Sequence, residues 1–464
     1  MSNKSGKKYY MKSSSTGKPL SFIERTGYAS GDFACSMYWV VFGQFLMFFY
    51  TDVAGLPIAA VSTLLLVTRF WDTINDPIMG LVADRTQTRH GKYRPWLIWM
   101  IGPMIISGIL VFTIPDGSEN FKLVYAFVTY SVVGMVYTAI NLPYAALMGV
   151  MSPSPSERTT LATFRYIGSF TGNFVPQLSI LALVAFIGGG NKQFGYVGAM
   201  TIYGVMAGLL FYFAFKATRE RVQPVKEKRK SSVRSDMGYL FRNKPWLIIA
   251  VAGTLSLVAI SIKNAIAIYY FTYYIGDQGL VSSFLAVGTA SAMVGIVLTK
   301  NIIRFFGDKR RSYIFVNLFI SIGYAVFYFA GTESIALIFS MQVFAMFFSG
   351  LMMPLMFSMY ADTADYGEWY FQRRTTGLIF ASGTSALKLG MTFGGAFCGW
   401  ILAFFGYIPN VEQSAESLSS IVDLMSWIPA LFALAATGVL ILYPLDATKE
   451  QIITKELSER RLNS

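Results

Sequence analysis

About twelve apolar runs of roughly twenty residues recur along this chain, each long enough to cross the hydrocarbon core of a bilayer. They begin near Tyr28, Pro57, Trp96, Leu123, Leu161, Gly195, Pro245, Leu280, Ser312, Ile335, Gly377 and Leu424. Inside lipid every backbone N–H and C=O needs a partner within the protein, so runs of this length must be helices. Composition agrees: 54% of residues are hydrophobic and 14% charged, against about a quarter charged in soluble domains. The expected fold is an all-α membrane protein.

The formal charge of +13, from 38 basic and 25 acidic residues, would suit nucleic acid, but its placement argues against such a partner. One set of loops carries Arg85, Arg89, Lys92 and Arg94, then Arg158, the run from Arg219 to Lys244, Arg304, Lys309, Arg310 and Arg311, and Arg373 and Arg374. The alternate loops carry Asp52, Asp116, Glu119, Asp277, Glu333, Glu412 and Glu416, with Lys122 and Lys192 as their bases. This is the positive-inside bias. It places both termini in the cytoplasm and requires an even number of spans. His90 lies in a basic loop and receives no role. Cys35 and Cys398 fall in apolar runs, so no disulfide is expected.

The stretch 218–245 is polar, basic and Pro/Ser-containing, and divides the apolar runs into two groups of six. The reading is a cytoplasmic tail at 1–27 without the apolar core of a secretory signal, a six-helix bundle at 28–217, a basic linker at 218–245, a second six-helix bundle at 246–446 and a cytoplasmic tail at 447–464. The segment Gly80 to Arg85 after the second run is echoed by Gly307 to Arg311 after the eighth. Two six-helix halves around a central site are a transporter arrangement. No Gly-rich phosphate loop of the Walker type is present, which argues against ATP-driven transport.

Charge inside the apolar runs carries the functional signal. Arg69, Asp72 and Asp76 stand within the second run, directly before Pro77. A carboxylate at the bilayer centre costs roughly 2.5–3.5 kcal/mol, and two of them one turn apart share a helix face. Arg69 offsets one negative charge and leaves one. A sodium ion would take oxygen ligands from Asp72, Asp76 and Asn75. A proton would serve equally, because burial and a like charge favour the protonated acid. The pair therefore points to a cation-coupled transporter.

Other polar groups admit two readings. Asp32 is either a helix-end carboxylate or an acceptor for sugar hydroxyls. Thr138 and Asn141, one turn apart before Pro143, fit either a site or bonds between helices. Arg165, Lys263 and Lys388 need partners or a water-filled cavity; Arg165 or Lys388 could pair with Asp72 or Asp76, and Lys263 is left to meet an anionic substrate. Asp362, Asp365 and Glu368, with Arg373 and Arg374 close behind, read as a gate network at helix ends. Tyr38, Trp39, Tyr269 and Tyr270 read as packing or interface residues, with one or two available to stack on a sugar ring.

These residues sit in ordered motifs: Gly31-Asp32-Phe33 with Phe49 to Val53; Arg69 to Gly80; Gly91 to Trp96; Gly134 to Thr138 with Asn141-Leu142-Pro143; Ile268 to Asp277; Ala361 to Glu368; Lys388; and Gly406 to Ser414. Over nearly its whole length the chain resembles the glycoside–pentoside–hexuronide cation symporters (melibiose permease-like) of the major facilitator superfamily. The resemblance implies twelve transmembrane helices in two six-helix bundles, and symport of a sugar with Na+ or H+ by alternating access. It implies a cation site at Asp72 and Asp76 (Na+ there if sodium-coupled), with Asn75 and Thr138 nearby, Lys388 beside it and Thr384 one turn before. It assigns Asp32, Arg165 and Tyr137 to the sugar, no cofactor, lipid surroundings and a bacterial inner membrane, and the chain is expected to act as a monomer. Asn141 stands where the melibiose permease has a sugar-binding aspartate, Ala145 where it has Trp, and Gly31 where it has Lys; Lys263 has no basic counterpart. The expected pocket, with Asn141 and Lys263 in it, leans toward a pentoside, xyloside or hexuronide. The rival readings are a sugar uniporter and a non-transporting membrane sensor.

Overall fold

Helix starts in this protein are set by polar caps, often about a turn ahead of the first apolar residue. The computed structural model describes residues 19–152, 154–221, 238, 240–372 and 376–462. Ser21 caps α1 (Phe22–Val53) in a reciprocal box with Glu24. Ser118 caps α4 (Glu119–Met151), Ser154 α5 (Pro155–Gly188), Asn191 α6 (Lys192–Ala217) and Asn243 α7 (Lys244–Ile275). Asp308 caps α9 (Lys309–Phe329) and Ser414 caps α12 (Ala415–Ile441). Each cap satisfies an orphan amide of the first turn. The remaining spans are α2 (Ile58–Arg85), α3 (Arg94–Trp99, resumed as Ile101–Val111), α8 (Leu280–Phe306), α10 (Ile335–Phe371) and α11 (Thr376–Phe404). A further helix, α13 (Ala447–Leu462), follows on the surface. Among the described residues the one β contact is an isolated bridge between Thr88 and Gly91.

Ten of these helices are individually long and apolar enough to cross a membrane. The two that fall short have physical reasons. Helix α2 carries Arg69, Asp72 and Asp76, and α3 is interrupted at Met100. Helix α12 begins nine residues before the expected Leu424, because its amphipathic first segment bends into the second at Ser426.

The two halves repeat one packing scheme. Helix α1 packs on α5 and α6, and α7, six helices later, packs on α11 and α12. Glycines permit both close approaches. A Cβ at Gly168 or Gly172 of α5 would lie 2.2 Å from the Ala29 or Phe33 carbonyl of α1, and one at Gly390 or Gly394 of α11 would lie 2.7 Å from the Thr254 or Val258 carbonyl of α7. Small residues four apart let membrane helices bring their backbones together. Both α1 and α7 also end in π-helical turns, Phe49–Val53 and Tyr270–Ile275. The halves meet along a seam where α2 lies against α11 and α5 against α8.

A candidate ion and substrate site at the seam

Asp72 and Asp76 lie one turn apart on α2, and each has its own cation. Arg69 Nη1 is 3.3 Å from Asp72 Oδ2, and its guanidinium carbon lies 4.4 Å from the Trp39 ring centroid on α1. Lys388, on α11 of the other bundle, places Nζ 3.0 Å from Asp76 Oδ2. Thr138 of α4 donates to Asp76 Oδ1 at 3.0 Å. The charges balance, where the sequence alone leaves one negative charge over. The α2–α11 seam supplies the missing cation from 312 residues away along the chain. Helix α4 also makes room for Asp72: a Cβ at Gly134 would sit 2.7 Å from Asp72 Oδ1.

These groups surround a pocket of about 60 Å³ that Tyr137, Asn141 and Thr392 also line. Carboxylate and hydroxyl oxygens meeting between two balancing cations suit a hard cation or a proton. Two expected neighbours do not line it. The Asn75 amide nitrogen is buried without a hydrogen-bond partner. The Thr384 hydroxyl bonds carbonyls of its own helix, Phe380 at 2.9 Å and Ala381 at 2.8 Å.

Trp39 and Arg69 also line a second, larger space, a cavity of about 350 Å³ at the junction of the bundles. Its polar wall carries Gln44, Asn173 and Gln177 from the first bundle and Asn264, Thr289 and Gln342 from the second. Leu257, Ile260, Leu285 and Met353 make much of the rest apolar. Asp32 and Arg165 do not line it. They pair with each other at 3.1 Å between α1 and α5, with Tyr144 stacked on Tyr28 and under the Arg165 guanidinium at 5.6 Å. Gly31 is what admits Tyr144, whose ring would be 2.4 Å from a Cβ there. Asn141 reaches the Tyr137 hydroxyl at 3.5 Å.

Lys263 is placed elsewhere. It is buried in the second bundle with Nζ 3.3 Å from the Phe327 ring centroid, 5.0 Å from Tyr324 and 5.4 Å from Phe284. Its other contact is Met425 Sδ at 3.7 Å. It lines neither the pocket at Asp72 and Asp76 nor the cavity.

The two ends of the molecule differ. At the end bearing the basic loops, several polar ties join residues of the same half. Arg25 pairs with Glu157 at 3.1 Å, Arg221 with Glu24, and Glu220 accepts the backbone amides of Lys92, Tyr93 and Arg94. In the second half Lys309 holds Asp362 at 2.5 Å and Glu450 of α13 at 3.2 Å. Asp365 and Glu368 follow Asp362 on α10; Arg373 and Arg374, and most of 218–245, lie outside the described residues. At the opposite end the halves are bridged. Asp52 at the tip of α1 accepts from Tyr407 at 2.7 Å and from Tyr273, both in the second half. Asn410 adds a donor to the Asp52 carbonyl at 2.6 Å. The described residues thus clasp the two halves together at the acidic end.

Sequence reasoning read Asp52 as a plain loop charge and passed over the amides. Their signal was present: Gln44, Gln177 and Gln342 are uncharged hydrogen-bonding side chains deep inside apolar runs.

Twelve helices in two six-helix bundles, with a charge-balanced pocket and a cavity at the seam, define the class as a membrane transporter of the major facilitator fold. The chain belongs to the MFS/sugar transport protein family, whose sequence profile matches residues 27–447. It is 34% identical over 447 residues to the putative glycoside/cation symporter YagG of Escherichia coli K12, covering 95% of this chain and 96% of that one. It is 32% identical over 435 residues to the isoprimeverose transporter of Lactiplantibacillus pentosus, covering 93% and 90%. A solved bacterial homologue of the human lysosomal transporter Spinster shares the fold, with TM-score 0.66 at 13% identity over 91% of this chain and 95% of that one.

Proposed function

We propose that the protein is a secondary active symporter that takes up a sugar together with Na+ or H+ by alternating access. The observation that carries this reading is the Lys388–Asp76 ion pair across the seam. A sodium ion between Asp72 and Asp76 competes with Lys388 for Asp76, and a proton on Asp76 removes the attraction. Arrival of the ion thus releases a tie between α2 and α11. In the empty carrier Lys388 neutralises Asp76 and in the loaded carrier the ion does. A carrier with neither in place would leave the partly buried Asp76 carboxylate unneutralised. Trp39 and Arg69 line both spaces, so a shift of Arg69 from Asp72 reaches the cavity wall, which links ion and sugar binding energetically.

Asp32, with Arg165, Asn141 and Tyr137, supplies acceptors and donors for hydroxyls on the path toward the basic end. The positive-inside bias makes that end cytoplasmic, with both termini there, in a bacterial inner membrane. The clasp at the acidic end supports a carrier closed on its outer side. The relatives named as a glycoside/cation symporter and an isoprimeverose transporter support a sugar as cargo; the carrier is read as acting as a monomer.

Uptake of labelled glycosides into right-side-out vesicles, under a sodium gradient, a proton gradient or neither, tests the reading. Concentrative uptake under one gradient names the ion. Asp76→Cys should abolish accumulation while leaving sugar exchange measurable. Full gradient-driven accumulation in that variant would defeat the mechanism.

A further inference from the structure

Helices α1 and α5 run in the same direction and are cross-linked by three polar rungs of constant offset. Asp32 meets Arg165 at 3.1 Å, Ser36 meets Ser169 at 2.6 Å, and Gln177 donates to Gln44 at 3.3 Å, each pair 133 residues apart. The first and last rungs are separated by twelve residues on each helix, or about 18 Å at 1.5 Å per residue. A sugar ring held by one rung cannot touch the other, so the two are separate stations.

The last rung is the one that lines the cavity, and the second bundle completes it. Thr289 of α8 donates to Gln177 Oε1 at 2.7 Å, so Thr289, Gln177 and Gln44 form a chain across the seam. Donating its hydrogen leaves the Thr289 oxygen free to accept, and the Gln44 amide nitrogen keeps its hydrogens for another partner. Gln342 of α10 is 2% exposed, is seated against Gly288, and has an amide oxygen with no hydrogen-bond partner. A buried unpaired acceptor is worth satisfying. Among the described residues lining the cavity, the one charged side chain is Arg69, which is held by Asp72.

We propose that Gln44, Gln177, Thr289 and Gln342 form a second hydroxyl-binding station, built by both bundles, that takes an uncharged saccharide ring and disfavours a carboxylated one. The proposal rests on the sugar-transport reading. A hydroxyl donating to Gln342 Oε1 and another bonding Thr289 would join the bundles through the sugar. That gives the second half, which contributes nothing to the Asp32–Arg165 rung, a direct stake in what is carried. A carboxylate placed here would meet amides and a hydroxyl with no free cation to repay its desolvation.

The test is the KM for uptake by proteoliposomes of a panel of neutral disaccharides and methyl glycosides of pentoses and hexoses, with the matching glycuronides, under both ion gradients. Neutral members should be carried by the parent protein. Their KM should rise about tenfold in Gln342→Leu and Thr289→Val, the loss of one hydrogen bond to a buried group, and return to the parent value in Thr289→Ser. That rescue separates a lost hydroxyl from a misfolded helix. Unchanged KM in both variants, or uptake of glycuronides alone, would overturn the station while leaving sugar transport standing. No uptake of any member under any gradient would overturn the transport reading, and the station with it.

Discussion

At the scale of single residues, Lys263 shows how far sequence can mislead about a charge. In the sequence it is a cation without a partner in an apolar run, which invites an anionic ligand. In the fold its ammonium group rests on Phe327 and beside Tyr324 and Phe284, with no carboxylate in ion-pair reach among the described residues. Cation–π contacts return about 2 kcal/mol when desolvated, which does not cover the burial of a charge. Methionine matches its length and suits a pocket of rings and Met425. Lys263→Met should therefore keep transport and raise the thermal unfolding midpoint of the purified protein by a few degrees. A lower midpoint together with lost uptake would mean that the amine serves the carrier. By contrast, the Asp72–Asp76 pairing was legible, because residues one turn apart on a helix stay together whatever the tertiary fold. The approach of Thr138 from α4 to Asp76 was implied by the family resemblance and not by spacing. Lys388 was readable only as one of several candidate partners. Its choice of Asp76 over Asp72 depends on how α11 lies against α2, and no local pattern encodes that.

At the scale of helices, the spans were visible as apolar runs; six starts fall within two residues of the sequence reading, and the other six lie three to nine residues earlier. The breaks at Met100 and Ser426 and the π-helical turns of α1 and α7 were not visible, because they answer to neighbours packed against them. Helix α13 has a chemistry of its own. Asp446 accepts the Lys449 amide at its start, Glu456 accepts from the Trp369 indole at 2.7 Å, and Glu450 meets Lys309. Burial, and then the negative charge of Asp362, raise the Glu450 carboxyl to about 7, with Lys309 opposing and Asp308 adding to the rise. Tyr443 and Asp365 also face this cluster. A raised carboxyl favours the folded state while protonated, so the stabilisation is present below the unfolded value near 4.5 and is lost as pH climbs toward 7. Glu450→Gln should flatten the fall in unfolding temperature between about pH 5 and pH 8 and make the variant the more stable of the two at the upper end. Parallel pH curves for parent and variant would refute this account of how α13 docks.

At the scale of the whole molecule, the two ends must open in turn, and the clasp at Asp52 is what the present state has and its opposite must lose. The Asp52 carboxylate takes hydroxyl donors from Tyr273 and Tyr407 of the second half and from its neighbour Thr51 at 2.5 Å. Asn410 ties the Asp52 carbonyl and, through its own amide at 2.9 Å, the Tyr273 hydroxyl. Hydrogen bonds to a charged group are worth about 1.5–3 kcal/mol each, enough to hold one of two states that differ by a few kcal/mol. Asp52→Asn keeps the shape and removes the charge. It should shift the resting population toward the form open at the acidic end by on the order of tenfold. Leu285→Cys on the cavity wall, with Cys35 and Cys398 replaced by serine, reads that population. A membrane-impermeant thiol reagent added outside intact cells should label this reporter slowly when Asp52 is kept and several-fold faster when Asp52→Asn is added, with Tyr407→Phe falling between. Equal labelling in all three would mean that the clasp closes nothing and that the acidic end is held by apolar packing of α1 on α7 alone.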